Sequence, residues 1–202
     1  IDKLSKSSGS IHTIFGSAMH TTIQAYLTEM YGTSIVAAEA LNLEDMLKNE
    51  MVKEFTQIRE KHNVDVCNQK DLTEFYEDGV AIIDHFKKHR GKYFMKKNYE
   101  LVGIELPIFM KLQEGVEFRS YLDVVIRNKI SGAIKIIDLK TSTRSWTDFH
   151  KKNFYKTSQL VLYKQKYLCF YPCFLRFYLE RFQLDWLFIG LGTIYYRLLS
   201  KS

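Results

Sequence analysis

Asp138 and Lys140 stand two residues apart in the run Ala133-Ile-Lys-Ile-Ile-Asp-Leu-Lys140, and Asp123 lies in the apolar run before it, Val116 to Arg127. Two carboxylates with a lysine beside them are the equipment for metal-assisted hydrolysis of a phosphodiester. A hard divalent cation binds through oxygen, chiefly carboxylate, polarises the phosphate and lowers the pKa of an attacking water. A lysine at the same place orients that water or neutralises charge developing on the phosphate. The ordinary alternative for Asp138 and Lys140 is a same-face surface ion pair, which contributes little. Against it, Ile134, Ile136, Ile137 and Leu139 mark a buried strand. Asp123 sits in an equally apolar run, and a buried carboxylate is costly unless a cation or hydrogen bonds compensate it.

For these groups to meet, they must come from neighbouring strands. Val116–Arg127 carries Phe118, Leu122, Val124 and Ile126 on one face, with Tyr121 and Asp123 on the other. Arg127-Asn-Lys-Ile-Ser-Gly132 reads as the turn into the next strand, its glycine supplying the dihedral freedom of a hairpin. Counting back from that turn brings Asp123 and Asp138 near one another across the ladder, with Lys140 on the same face as Asp138. Ahead of them, Tyr99–Met110 has Val102, Ile104, Leu106, Ile108 and Met110 on one face and Glu105 on the other, and Lys111–Gly115 is the expected turn.

Helical spacing occupies the first half of the chain. Gly16–Leu27, with Ser17 as its cap, repeats Met19, Ile23 and Leu27 at four-residue intervals and sets His20 beside that stripe. Leu43–Ile58 and Asp71–His89 have the same three-and-four pattern, the latter ending at Gly91. A further helix is expected over Thr147–Tyr167, with Gln159 and Tyr163 on one side. Beyond Lys166 the chain becomes dense in Phe, Tyr and Leu and takes no assignment. Its longest uncharged run, the eleven residues Trp186 to Tyr196, is shorter than the roughly 18 to 20 of a membrane span and reads as a buried strand or helix.

At 202 residues, one domain over 1–202 is the expectation. The opening Ile, in place of Met, marks it as a fragment candidate, with 167–202 the uncertain end. A formal charge of +6 suits a polyanionic partner, since lysine and arginine release counterions from phosphates. Three cysteines, Cys67, Cys169 and Cys173, are too few for a secreted disulfide scaffold and fit a reducing, cytoplasmic setting.

In order along the chain come Gly16-Ser-Ala-Met-His20, Glu105, Tyr121-Leu-Asp123, Ile136-Ile-Asp138-Leu-Lys140-Thr-Ser142 and Gln159-Leu-Val-Leu-Tyr163. This series resembles the PD-(D/E)XK nuclease superfamily, in particular its RecB-type branch, over about three quarters of the chain. The resemblance implies an α/β fold of the restriction-endonuclease type, a mixed central sheet flanked by helices. It implies that His20, Asp123, Asp138 and the carbonyl of Leu139 ligate Mg²⁺ or Mn²⁺, with Lys140 the catalytic lysine and Glu105 a further acidic participant. Thr141, Gln159 and Tyr163 would hold the substrate. A lone helical histidine is ordinarily structural, and Gln159 and Tyr163 equally fit a solvated helix face. Some RecB-type nucleases hold a four-iron cluster with four cysteines; three are present here, so no cluster is expected.

The activity implied is DNA hydrolysis, by an exonuclease in recombination, repair or phage replication, with DNA as partner, a helicase or recombinase alongside, and no membrane. A non-catalytic DNA-binding module of a larger complex is the second reading, and an interaction protein with a chance motif the third.

Overall fold

The computed structural model describes residues 9–142, 183–190 and 193–198. The first helix, α1, spans Ile11–Gly32. Its cap is Ser10, whose hydroxyl accepts the Thr13 amide, and not Ser17, which donates instead to Glu54 at 2.9 Å. The apolar stripe extends a turn further back than the four-residue spacing reveals, because Ile14 and Phe15 are also buried. A short α2, Ile35–Glu39, leads to α3, Leu43–His62, and α4, Gln69–Tyr93. Asn68 and Asp71 open α4 with reciprocal side-chain-to-amide bonds of 2.9 and 3.2 Å, a capping box.

Gly91 does not end α4. Phe86, Tyr93 and Phe94 are all buried, and carrying the helix to Phe94 keeps them in the core. Their burial outweighs a glycine cost of about 1 kcal/mol. The other glycine of α4 has a packing role. A Cβ on Gly79 would lie 2.5 Å from Leu47 Cδ2 and 3.1 Å from Phe15 Cε2, so its absence lets α4 close onto α1 and α3.

The strands are β1 Tyr99–Gln113, β2 Val116–Asn128, β3 Ile134–Ser142, β4 Gln183–Gly190 and β5 Thr193–Leu198. They form one sheet in the order β1-β2-β3-β4-β5, in which only β3 and β4 run parallel. The fold is therefore a mixed sheet with helices, of the restriction-endonuclease-like α/β class. The uncharged run at the end resolves into two strands, and the helix expected over 147–167 lies outside the described residues.

Two strand expectations need correcting. The β1–β2 ladder reaches Gln113↔Val116, so the turn is Glu114-Gly115, with Gly115 at φ +75°, and not Lys111–Gly115. In β1 the register slips one residue between Leu101 and Gly103. That bulge turns Val102 outward, 40% exposed, while Leu101 and Ile104 pack against the core. Strict alternation cannot survive an inserted residue.

The β2–β3 turn closes as expected: Gly132 (φ +68°) donates its amide to Asn128 O at 2.8 Å, and Asn128 donates to Ala133 O at 2.9 Å. Val124, Ile126, Ile137 and Leu139 present one face of β2 and β3 to the helices, where they join Phe15, Met19, Ile23 and Leu27 of α1 in a single core. Asp123 and Asp138 follow where the β2–β3 pairing ends, beyond Val124 and Ile137. Among the described residues no helix is long and apolar enough to cross a membrane.

The two glycines of α4 predict opposite responses to the same substitution. Gly79→Ala should destabilise the protein by about 1–3 kcal/mol through overpacking against Leu47. Gly91→Ala, with nothing within 4 Å of the new methyl, should stabilise it by about 0.5–1 kcal/mol. Urea or thermal unfolding of the two variants reads both signs.

Candidate active site

The ladder between β2 and β3 pairs Val124 with Ile137, and one further step along that register sets Asp123 opposite Asp138. There the main chain gives way to a side chain: the Leu139 amide donates to Asp123 Oδ2 at 2.7 Å. On the other side of β2, the pairs Ile104↔Val124 and Leu106↔Leu122 bracket Glu105 and Asp123. Glu105, Asp123 and Asp138 thus form a row across three strands. Glu105 adopts φ +48°, in the left-handed region that a residue with a Cβ seldom occupies.

From the helical layer, α1 contributes two side chains one turn apart. His20 Nδ1 lies 3.7 Å from Asp123 Oδ2. Gln24 donates from Nε2 to Glu105 Oε1 at 2.5 Å and reaches the main-chain oxygen of Asp123 at 3.5 Å. One ligand atom each from His20, Glu105 and Asp123 falls within 4.8 Å of the other two. Gln24 was not singled out from the sequence. Its signal is its position four residues after His20, which puts both on one helix face.

Asp138 is not one of those three. Its side chain is 1% exposed, and Lys140 Nζ stands 2.7 Å from its Oδ2. Lys140 thus serves Oδ2 as both ion pair and hydrogen-bond donor, while Oδ1 has no partner among the described residues. A buried carboxylate in that condition is costly.

Burial is the largest influence on the titration of Asp123, Asp138 and His20. It raises the carboxyl pKa of Asp123, against the opposing Leu139 amide and Lys140, and it raises that of Asp138, against Lys140, with Asp123 adding to the rise. Burial, followed by Lys140, pulls His20 down, favouring the neutral imidazole that can donate a lone pair. Among the described residues three carboxylates face one lysine, an excess of negative charge where two of the three are buried. An imidazole with carboxylate oxygens is a donor set suited to a divalent cation, and the residues present fit one.

Of the other sequence candidates, Leu139 lies within β3, its carbonyl interacting with His20. Thr141 is placed by its backbone alone, opposite Ile189 of β4. Gln159 and Tyr163 lie outside the described residues, as do Cys169 and Cys173; Cys67 precedes α4 as a free, half-buried thiol.

This layered fold, with acidic residues and a lysine on adjoining strands, is one under which nucleases are grouped. Residues 1–167 match the family model of the PD-(D/E)XK nuclease superfamily, and the chain belongs to that superfamily. No curated protein matches it. Among solved structures, a crystal structure described as a "Putative exonuclease" from Eubacterium rectale is similar at 15% sequence identity and a TM-score of 0.43, covering 100% of this chain and 79% of that chain. A likeness of that degree carries no argument about function.

Raised carboxyl pKa values fix the sign of a pH effect. Between about pH 4 and 6 the two folded carboxyls retain protons that the unfolded chain has released, so their contribution to stability should fall as pH rises through that window, with the lowered His20 opposing it in part and the two carboxyls outweighing the one imidazole. Mg²⁺ or Mn²⁺ should raise the melting temperature only above the window, because the cation competes with those protons. Thermal melts from acid to neutral pH, with and without the ion, test both halves. Gln24→Leu should weaken the ion's effect by about tenfold in affinity while leaving the fold intact, as expected when a group that orients a ligand is lost. Titration calorimetry measures that change.

Proposed function

We propose that this nuclease is a Mg²⁺- or Mn²⁺-dependent deoxyribonuclease of the RecB-type branch, acting as an exonuclease on DNA. One observation carries the reading: Asp138 is buried beside a second buried carboxylate, Asp123 on the neighbouring strand, with Lys140 against its Oδ2. A non-catalytic DNA-binding module has no use for that expense, whereas hydrolysis has a use for each member.

In this reading His20, Asp123, Asp138 and the Leu139 carbonyl hold the cation, and Glu105 stands by as a further acidic ligand. When bound, the ion supplies Lewis acidity at the phosphate and a lowered pKa for water. Neutral His20 offers nitrogen without adding charge. The Leu139 amide fixes the Asp123 carboxylate through Oδ2, and Gln24 fixes Glu105. Lys140, the one cation among these side chains, orients the attacking water and steadies negative charge on the phosphate oxygens. The water oxygen bonds to phosphorus, the bond to the departing sugar oxygen breaks, and that oxygen takes up a proton. Thr141, Gln159 and Tyr163 hold the DNA backbone beside this centre.

End-directed cutting, a role in recombination, repair or phage replication beside a helicase or recombinase, a single domain over the whole chain, and a cytoplasmic setting belong to the same reading. They follow from the motif order and composition, not from the site geometry.

Incubation with linear and circular duplex DNA, with Mg²⁺ or with chelator, tests the proposal. Linear DNA should be degraded only with the metal, and circular DNA should survive. Lys140→Ala should lower the rate by about 10²–10³-fold, on the scale of losing one charge-stabilising group, while DNA binding persists. Asp138→Asn should abolish both cleavage and the metal-induced rise in melting temperature. Metal-independent DNA binding without cleavage would replace the enzyme with a DNA-gripping module.

A further inference from the structure

Beyond the row of acids, the β1–β2 hairpin carries a second set of side chains on the same face. Successive cross-strand pairs lead outward from Glu105 and Asp123: Pro107↔Tyr121, Phe109↔Arg119 and Lys111↔Glu117. The opposite face of β2 points inward, Leu122 and Val124 being fully buried, whereas Phe109 is 44% and Tyr121 50% exposed. Their rings meet edge to face, centroids 5.9 Å apart and planes at 89°. That contact is a diagonal cross-strand pair, and in a T-shaped pair the ring offering its face to the partner's edge keeps its other face open. Beside them is a hollow of about 480 Å³ lined by Phe109, Lys111, Glu117 and Arg119, within the range of small-ligand sites.

We propose that Phe109 and Tyr121 form a base-stacking platform for single-stranded DNA, with Lys111 and Arg119 contacting the phosphates that flank the stacked base. The inference rests on the nuclease reading, which puts the scissile phosphate at Asp123. At about 3.3 Å per residue, Tyr121 is about 7 Å along the strand from Asp123 and Arg119 about 13 Å, so the platform would seat a nucleotide next to the one being cut. Glu117 holds Arg119 in place through Nε and one terminal nitrogen, at 3.1 and 2.7 Å, and a guanidinium has donors to spare for a phosphate. Stacking selects for single strands because an open ring face needs an unpaired, unstacked base, and it is tolerant of sequence because every base has a π-face. The substrate is then a single strand or a frayed end, in preference to a blunt duplex.

The test uses the full chain in a Lys140→Ala background with Mn²⁺, so that binding is read before the slowed turnover consumes the strand, and a single-stranded oligonucleotide bearing 2-aminopurine, whose fluorescence falls on stacking. The parent should quench the probe. Phe109→Ala/Tyr121→Ala should lose the quench and bind the single strand about five- to hundredfold more weakly, with blunt duplex binding little altered. Tyr121→Trp should restore both signals. Both side chains are at the surface, so an unchanged melting temperature certifies the fold. Unchanged quench and affinity would overturn the platform, as would an equal loss for blunt duplex. Failure of the unmutated chain to cleave DNA, with the quench intact, would instead remove the nuclease reading and leave the platform standing.

Discussion

Placing two carboxylates face to face on adjacent strands, away from water, is the constraint that the rest of this fold answers. Each charge loses hydration and feels the other. The fold offers partial compensation to each separately: a main-chain amide for Asp123 and an ammonium for Asp138. Neither is complete, since one lysine faces three acids and Asp138 Oδ1 has no partner among the described residues. The remainder is a deficit of positive charge, located where a phosphate ester could approach.

The architecture around that deficit follows from how the groups must arrive. Acids on three consecutive strands fall in a row only if the strands are neighbours in register, which short hairpins secure. The imidazole and the amide come from a helix, so α1 must lie close to the sheet. Its approach depends on Val124, Ile126, Ile137 and Leu139, which pack against it beside the acids. Core and chemistry therefore share the same helix and the same pair of strands.

The alternation of a strand is why so much was legible beforehand. Asp123, Asp138 and Lys140 could be placed relative to one another because a strand's period is two and the turn between them is short. Helix identities were legible from apolar spacing, while their ends were not: Gly91 is overridden by the aromatic residues after it. Val102 was put on the wrong face because a bulge leaves no mark in the residue types. Gln24 was missed because its one signal, the four-residue step from His20, gains meaning only from Glu105, which arrives from a distant strand to accept its hydrogen bond. Gly79 was passed over for the same reason, its importance lying in what comes near it from other helices. β4 and β5 took no assignment, because a continuous uncharged run such as Trp186 to Tyr196 has no alternation to tell strand from helix.

Glu105 reaches the cluster from a backbone conformation that its own Cβ opposes. The strain is local, but it divides the demands on that position. A glycine there would relax the chain and leave the site one oxygen donor poorer; the glutamate retains the donor and keeps the strand under tension. On the proposed reading, durability and competence compete at this single residue, and a search for hardier versions of the protein would drift toward inert ones unless it also selected for turnover.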